Sequence, residues 1–306
     1  MSGSDSDLLV DLLERTSRTF AATIPLLDAG LQEQVRVAYL LFRIVDTLED
    51  ADLLPRDPRL AGLKLFGALL GQELPPSSQI QKFVDWCSAH PPTANADYAR
   101  LLEHTPYVFV ALEGLSARAA GAIRCHLAGT TERMSGFVAR ADAKGALALK
   151  DLDDLRAYCY AVAGIVGEML CELVVLDEPK LAEAKPLLDR DAVAFGEALQ
   201  LVNILKDAGA DAKEGRTYVP KNIDRAKVFD LARADLEQAK RYTRTLHQHG
   251  AKKTTLAFHA LPIRLADATL TRVKSEGPGA KVSRADVAAE VAAMHASLDA
   301  NRSGLD

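Results

Sequence analysis

The stretch LQEQVRVAYLLFRIVDTLED, residues 31–50, decides the fold of this chain. It begins as a largely apolar segment with helical spacing and runs directly into acids, with Asp46 and Asp50 four residues apart. Side chains four apart on a helix are surface neighbours, so two bare carboxylates there repel by roughly 3 kcal/mol at an effective dielectric near 20. The two aspartates therefore face water or share a positive partner.

A second stretch, LQLVNILKDAGADAKEGRTYVP at residues 199–220, repeats this arrangement. Asn203, Asp207 and Asp211 follow one another at intervals of four, which places their oxygens on one face of a helix. Either acid cluster alone fits a solvated helix end. Because each one continues an apolar helix, the pair predicts a metal-diphosphate site, since Mg²⁺ is usually held by carboxylates plus substrate phosphates.

Composition excludes several classes of protein. The 306 residues carry 37 basic and 42 acidic side chains, a net charge of −5, which is not the electrostatic footprint of a nucleic-acid partner. The four cysteines show no zinc-type spacing, and the first residues, MSGSDSDLL, are polar and acidic. We therefore expect mostly buried, reduced thiols in a cytoplasmic protein.

Helical spacing recurs along the chain without a strand-like alternation, so we predict one all-α domain over residues 1–306, with a single core. The apolar window 157–176 carries Glu168 and Glu172, whose charges are costly in a bilayer, so it predicts a buried core helix rather than a transmembrane one. The predicted helices span 5–15, 31–52, 58–71, 77–88, 96–114, 116–140, 151–176, 180–210, 224–249, 252–276 and 283–300.

Five segments, in order, resemble motifs of the squalene/phytoene synthase family. They are SRTF at 17–20, YLLFRIVDTLED at 39–50, YCYAVAGIVGEML at 158–170, ALQLVNILKDAGAD with GRTYVP at 198–220, and FHALPIRLADATL at 258–270. The resemblance implies a helical bundle around a deep central cavity, the isoprenoid synthase type I fold, with the two acid motifs facing each other near its mouth.

The implied activity is a Mg²⁺-dependent, head-to-head condensation of two farnesyl diphosphates. It passes through presqualene diphosphate to a C30 product, squalene or dehydrosqualene. Mn²⁺ is the alternative metal, and NADPH is needed only if the product is squalene. Three other readings stay open: a phytoene synthase using two geranylgeranyl diphosphates, a synthase that stops at presqualene diphosphate or hydroxysqualene, and a non-catalytic binding or assembly protein.

The resemblance also assigns roles to residues. The expected metal ligands are Asp46, Asp50, Asn203, Asp207 and Asp211. The expected catalytic side chains are Phe20, Tyr39, Arg43 and Tyr158. The substrate-binding residues are expected to be Ser17, Arg43, Gly164, Gly167, Gln200, Lys206, Arg216 and Tyr218.

Each of these roles has a structural alternative. Phe20 and Tyr158 suit a core, and Tyr39 suits a core position with a bonded hydroxyl. Arg43 can pair with an aspartate on its own helix. For Gly164 and Gly167 the alternative is helix packing. For Arg216 and Tyr218 it is an ordinary loop.

The second motif departs from the family pattern at two positions. Ala210 stands where the family usually has Glu, and Lys206 stands where it usually has Arg. Lys is a good point charge for phosphate but lacks the planar fork of Arg. Gly209 adds flexibility inside the helix, at about 1 kcal/mol relative to Ala. The product should be apolar, so we expect peripheral membrane contact without a transmembrane segment.

Overall fold

The computed structural model describes residues 3–17, 19–213 and 215–306, and it assigns no β-strand within them. The prediction of an all-α chain is confirmed, with one isolated parallel bridge between Ala148 and Thr217. The described chain divides into two compact units. The first contains the residues up to Ile24 and Ala29–Leu147, and the second contains Pro25–Asp28 and Ala148–Asp306. The predicted single core stays a prediction.

The first unit is built around the helix that the opening stretch predicts. Its helices are α1 Gly3–Thr16, α2 Thr19–Thr23, α3 Ala29–Asp50, α4 Arg56–Leu70, α5 Ser77–Ala89, α6 Ala96–Glu103, α7 Thr105–Glu113 and α8 Ala117–Arg140. Helix α3 packs against α1, α4, α6, α7 and α8. Its fully buried side chains include five large apolar ones along its second half, each stabilising the unit by roughly 1.5–3 kcal/mol: Leu40, Leu41, Ile44, Val45 and Leu48.

One predicted helix, 96–114, is two helices in the structure. The helix is interrupted at His104, and Pro106 lies in the first turn of α7. Proline has no N–H to donate and its ring clashes with the carbonyl four residues earlier, so it suits a helix start and interrupts a helix interior. The hydroxyl of Thr105 donates to the Leu102 carbonyl at 2.7 Å and closes the end of α6.

The second unit is built around a 29-residue helix, α11. Its helices are α9 Leu152–Cys159, α10 Ile165–Asp177, α11 Lys185–Lys213, α12 Arg225–Gln248, α13 Lys253–Glu276 and α14 Arg284–Asp299. Helix α11 packs against α9, α10, α12 and α13. A π-turn at Tyr160–Gly164 joins α9 to α10, and a 3₁₀ turn at Pro179–Ala184 precedes α11. The predicted helix 151–176 thus contains a π-helical turn, and the predicted helix 180–210 starts later, at Lys185.

Two glycines bring α11 into backbone contact with α10 and with the π-turn that precedes α10. A Cβ atom on Gly167 would lie 2.0 Å from the Ala192 carbonyl oxygen, and one on Gly196 would lie 1.8 Å from the Ala163 carbonyl oxygen. No real Cβ atom approaches an oxygen so closely, so only glycine fits at either position. The packing alternative for Gly167 is therefore present in the structure.

Within the described residues, the segment Leu152–Asp177 is the only one long and apolar enough to cross a membrane. In the folded protein 56% of its apolar window is buried, as expected for a core helix. The cysteines largely follow their prediction, because Cys87, Cys159 and Cys171 are free and buried while Cys125 is free and exposed. Burial raises the pKa of the Cys87 thiol to about 12, which leaves it protonated and unreactive.

Candidate active site

The first acid motif occupies the last turns of α3. Asp46 is partly exposed and lies 3.5 Å from a guanidinium nitrogen of Arg43, one turn earlier. The Thr47 hydroxyl donates to the Arg43 carbonyl at 2.7 Å. Asp50, at the helix end, is also partly exposed. The carboxylates of this motif therefore sit at the border between the core of the first unit and its surface.

Arg43 is held by aromatic side chains as well as by Asp46. The Tyr39 hydroxyl donates to the Thr16 carbonyl at 2.7 Å and accepts from Arg43 Nε and Nη2, both at 3.2 Å. The guanidinium carbon lies 5.5 Å from the ring centres of Tyr39 and Tyr98. The structural alternatives for Tyr39 and Arg43 are therefore satisfied, and their roles toward a substrate stay predictions.

The N-terminal segment meets the same group of residues. The Ser17 hydroxyl accepts from the backbone N–H of Phe20 at 2.9 Å and so fixes the turn before α2. The half-buried ring of Phe20 lies 5.4 Å from the ring of Tyr39. Arg18, which belongs to the matching SRTF segment, lies outside the described residues. The structure thus brings Ser17, Phe20, Tyr39 and Arg43 together in the first unit.

The electrostatics of this cluster favour an added cation. Burial raises the pKa of the Asp46 carboxyl to about 6; Arg43 opposes the shift and Asp50 adds to it. Burial also disfavours the charge on Arg43, but Asp46, Tyr39 and Tyr98 outweigh this and raise the pKa of Arg43. A carboxyl whose negative charge is only partly compensated is a suitable ligand for a divalent ion.

The second acid motif lies on the last turns of α11. Because this helix continues through Lys213, three residues beyond its predicted end, the oxygens of Asn203, Asp207 and Asp211 lie on one face. Lys206 Nζ lies 3.2 Å from both Asn203 Oδ1 and Asp207 Oδ2. Half-buried Gln200 lies one turn earlier. The lysine that replaces the usual arginine thus contacts two predicted metal ligands at once.

The loop after α11 returns to the same helix face. The Arg216 N–H donates to the Asp211 carbonyl at 2.9 Å, and its guanidinium lies 3.9 Å from the Asp211 carboxylate. A cavity of about 120 Å³ lies between the loop and the helix. It is lined by Ile204, Ala208, Asp211, Ala212, Arg216, Thr217, Tyr218 and Val219. The loop therefore adds one cation and one tyrosine to the motif.

Tyr158 connects α9 to this loop. It is buried, and its ring stacks on that of Tyr218 with the ring centres 4.7 Å apart and the planes at 25°. Two residues later, the Tyr160 hydroxyl donates to Glu168 at 3.1 Å across the π-turn. A Cβ on Gly164 would lie 2.8 Å from the Tyr160 ring, so this glycine leaves room for the ring. Contact of Tyr158, Gly164 or Gly167 with a substrate stays a prediction.

The donor set of the two motifs suits Mg²⁺. Among the described residues, no group of three or more His, Cys, Asp or Glu side chains converges as a ready-made metal site. Mg²⁺ keeps several waters and is commonly bound by one or two carboxylates plus substrate phosphates. Each motif by itself, two aspartates on α3 and two aspartates with an amide on α11, offers oxygen ligands of that kind.

Sequence reasoning missed a buried ionic network in the second unit. Arg156 donates to Glu197 at 2.8 Å and to both carboxylate oxygens of Asp235, at 3.0 and 3.2 Å. Burial raises the pKa of Glu197 to about 7 and also raises that of Asp235, because one arginine serves two buried acids. Glu197 and Asp235 lie 41 and 79 positions after Arg156, so no local sequence pattern indicates the network.

Comparison with known proteins agrees with this architecture. Residues 13–227 match the squalene/phytoene synthase family model. The squalene synthase of Gibberella zeae is 30% identical over 217 residues, 69% of this chain and 42% of that protein. A chloroplastic phytoene synthase of Narcissus pseudonarcissus is 35% identical over 117 residues, 35% of this chain and 27% of that protein. A solved structure of TcSQS with the ligand BPH1237 gives a TM-score of 0.73 at 23% identity, covering 97% of this chain and 89% of that one.

The structural likeness thus assigns the chain an all-α fold of the isoprenoid synthase type. More narrowly, it belongs to the squalene/phytoene synthase family, because the family model matches well over half of its residues. The chain spans less than half the length of the curated squalene synthases that it matches.

Proposed function

We propose that this chain condenses two farnesyl diphosphates head to head, through presqualene diphosphate, to a C30 product. One observation supports the proposal above the others. In each unit, a long apolar helix carries two aspartates four residues apart near its C-terminal end. A basic side chain contacts the first aspartate of each pair. Arg43 lies 3.5 Å from Asp46, and Lys206 lies 3.2 Å from Asp207.

The proposed chemistry begins at the diphosphate. Bound Mg²⁺ supplies charge neutralisation that makes the diphosphate a better leaving group. Arg43, Lys206 and Arg216 bind its oxygens, helped by the Ser17 hydroxyl and the Gln200 amide. The cation ligands are the four aspartates and one amide: Asp46, Asp50, Asn203, Asp207 and Asp211. The chain's own residues thus hold the head group while the carbon–oxygen bond breaks.

The later steps need protection of carbocations. The allylic cation left by the first diphosphate is attacked by the double bond of the second substrate, and a proton is lost to give the cyclopropylcarbinyl diphosphate. Its ionisation and rearrangement end in hydride uptake from NADPH, giving squalene, or in proton loss, giving dehydrosqualene. The rings of Phe20 and Tyr158 stabilise these cations through their negative faces, and Tyr39 keeps Arg43 in place.

The decisive experiment is incubation of the purified protein with farnesyl or geranylgeranyl diphosphate and Mg²⁺, with and without NADPH, followed by hydrocarbon analysis. We expect a C30 product from farnesyl diphosphate. A C40 product from geranylgeranyl diphosphate alone would instead identify a phytoene synthase. Presqualene diphosphate or hydroxysqualene as the end product would mark a truncated or water-quenched reaction.

Absence of turnover on either allylic diphosphate would favour a non-catalytic binding or assembly protein. Both aspartate pairs are retained, which argues for catalysis. Substituting Mn²⁺ for Mg²⁺ in the same assay tests the alternative metal.

We also propose cytoplasmic location with peripheral membrane contact, because a C30 hydrocarbon has negligible solubility in water and must pass into lipid. Co-sedimentation with neutral phosphatidylcholine vesicles, before and after turnover, tests this. Protein that stays in the supernatant in both conditions would contradict it.

A further inference from the structure

The connection between α13 and α14 contacts the second acid motif directly. The connection runs over residues 277–283, and its first three residues, Gly277, Pro278 and Gly279, are called the GPG loop here. The N–H of Gly279 donates to the carbonyl oxygen of Lys206 at 2.7 Å. Lys206 is the residue whose side chain contacts Asn203 and Asp207. The loop lies outside residues 13–227, the part of the chain that matches the family model.

The contact depends on an unusual backbone conformation. Gly279 has a φ of +87° and Gly277 a φ of +91°, both in the region that side chains with a Cβ atom rarely adopt. Nothing lies within 4 Å of a Cβ built on Gly279, so crowding does not require glycine there. The requirement is conformational, because a positive φ at Gly279 lets the chain turn towards Lys281 while the Gly279 N–H stays bonded to α11.

The segment that follows the loop is tied back to α13. Arg272 of α13 donates to the Lys281 carbonyl at 3.3 Å and to the Asp286 carboxylate at 2.7 Å. Asp286 also closes a capping box with Ser283 at the start of α14. A donor held in this way can impose its position on the α11 backbone that it binds.

The α11 turn that receives the contact lies one turn before a glycine. Gly209 lies one turn beyond Leu205 and Lys206, and glycine inside a helix lowers its stability. Both of these carbonyls accept hydrogen bonds from outside α11, since Arg225 donates to the Leu205 carbonyl at 2.7 Å. Two external donors therefore hold the turn from which Lys206 and Asp207 project.

We infer that the GPG loop is a positioning element of the second aspartate motif, with Gly279 holding the turn that carries Lys206 and Asp207 in its ligand-binding geometry. The inference rests on the proposed function, because it assumes that Asp207 binds Mg²⁺ and diphosphate. Gly279 acts through the α11 backbone and contacts no substrate itself.

The test measures the dissociation constant of inorganic pyrophosphate at saturating Mg²⁺ by titration calorimetry. Gly279→Ala should weaken binding by about tenfold, the range seen when groups that support metal ligands are removed. Gly279→Asn should recover part of that loss, because asparagine tolerates positive φ better than alanine. The matched control is Gly250→Ala, at φ +76° with nothing within 4 Å of its Cβ, in the α12–α13 turn.

The outcomes separate the inference from the proposed function. If Asp207→Ala abolishes pyrophosphate binding while Gly279→Ala binds like the wild type or like Gly250→Ala, the positioning role is wrong and the proposed function stands. If the wild type does not bind pyrophosphate, or Asp207→Ala binds it normally, the proposed function is wrong, and the inference that rests on it is wrong as well.

Amide hydrogen exchange gives a readout that does not depend on any variant folding. The Gly279 N–H should be protected in the wild-type protein, because it is bonded to Lys206. Exchange of that amide at the rate of an open loop would also overturn the positioning role.

Discussion

At the scale of single residues, the two acid motifs share a local device. In each, a cation touches the first aspartate of the pair, so that carboxylate is oriented before any ligand arrives. Lys206 has no planar fork, yet its single ammonium contacts both Asn203 and Asp207. The exposed side chain of Ala210 replaces the usual glutamate without leaving a gap in the core.

The first prediction concerns these aspartates. Asp46→Ala and Asp207→Ala should each lower turnover on farnesyl diphosphate by at least about 100-fold, the scale of losing one preorganised charge-stabilising group. The fold should survive, because both side chains are partly exposed, at 32% and 48%. Product formation and thermal unfolding of the same preparations provide the two measurements.

Matched controls exist in both units. Asp57 and Asp230 are exposed aspartates at 78% and 77%, each paired with a nearby arginine on its own helix. Asp57→Ala and Asp230→Ala should keep wild-type turnover. Normal activity in Asp207→Ala would end the assignment of the second motif, and normal activity in Asp46→Ala would end that of the first.

At the scale of elements, the packing of α10 on α11 decides where the second motif lies. Gly167 lets the α10 and α11 backbones touch, and Gly196 does the same for α11 and Ala163 of the π-turn, so the direction of α11 is fixed by contact rather than by adaptable side chains. Small shifts of α11 would move every oxygen of its acid stripe together.

The second prediction follows from this contact. Gly196→Ala places a Cβ 1.8 Å from the Ala163 oxygen, so the helices must separate, and we expect the free energy of unfolding to fall by about 2–4 kcal/mol. In Gly136→Ala the new Cβ meets nothing within 4 Å inside α8, so stability should rise by about 0.5–1 kcal/mol. Urea denaturation of both variants measures the difference. Equal stabilities would show that α11 and the π-turn adapt without cost.

At the scale of the whole molecule, two buried groups give stability opposite dependences on pH. Glu197 has a folded pKa of about 7, above its ordinary value of 4.5. Its contribution to the free energy of unfolding is therefore full below pH 4.5 and is lost as the pH rises to about 7. Burial lowers the pKa of His259 from 6.5 to about 4, so its contribution is full above 6.5 and is lost as the pH falls to about 4.

The third prediction tests this opposition. Between about pH 4.5 and 6.5 the two slopes, each at most about 1.4 kcal/mol per pH unit, offset one another in the wild type. Relative to the wild type, Glu197→Gln should gain stability as the pH rises through this range, and His259→Phe should lose it. Urea denaturation at several pH values gives the slopes. Three parallel profiles would show that neither group is shifted in the folded protein.

Sequence alone determined the all-α class, the two acid motifs and the residues within them. These follow from hydrophobic periodicity and from spacings of four, which are local properties of the chain. For the same reason α3 and the continuous acid stripe of α11 agree with expectation. The predicted helix 96–114 is instead broken at His104, just before Pro106, because the pattern of apolar residues does not contain the effect of a proline.

Only the tertiary structure decided which distant residues meet. Tyr98 against Arg43, Tyr218 against Tyr158, the network of Arg156, Glu197 and Asp235, and Gly279 against Lys206 all join residues far apart in the chain. Such pairs depend on how helices pack, and packing is set by the fit of whole surfaces. A single sequence records the residues on those surfaces but not the partners that each will find.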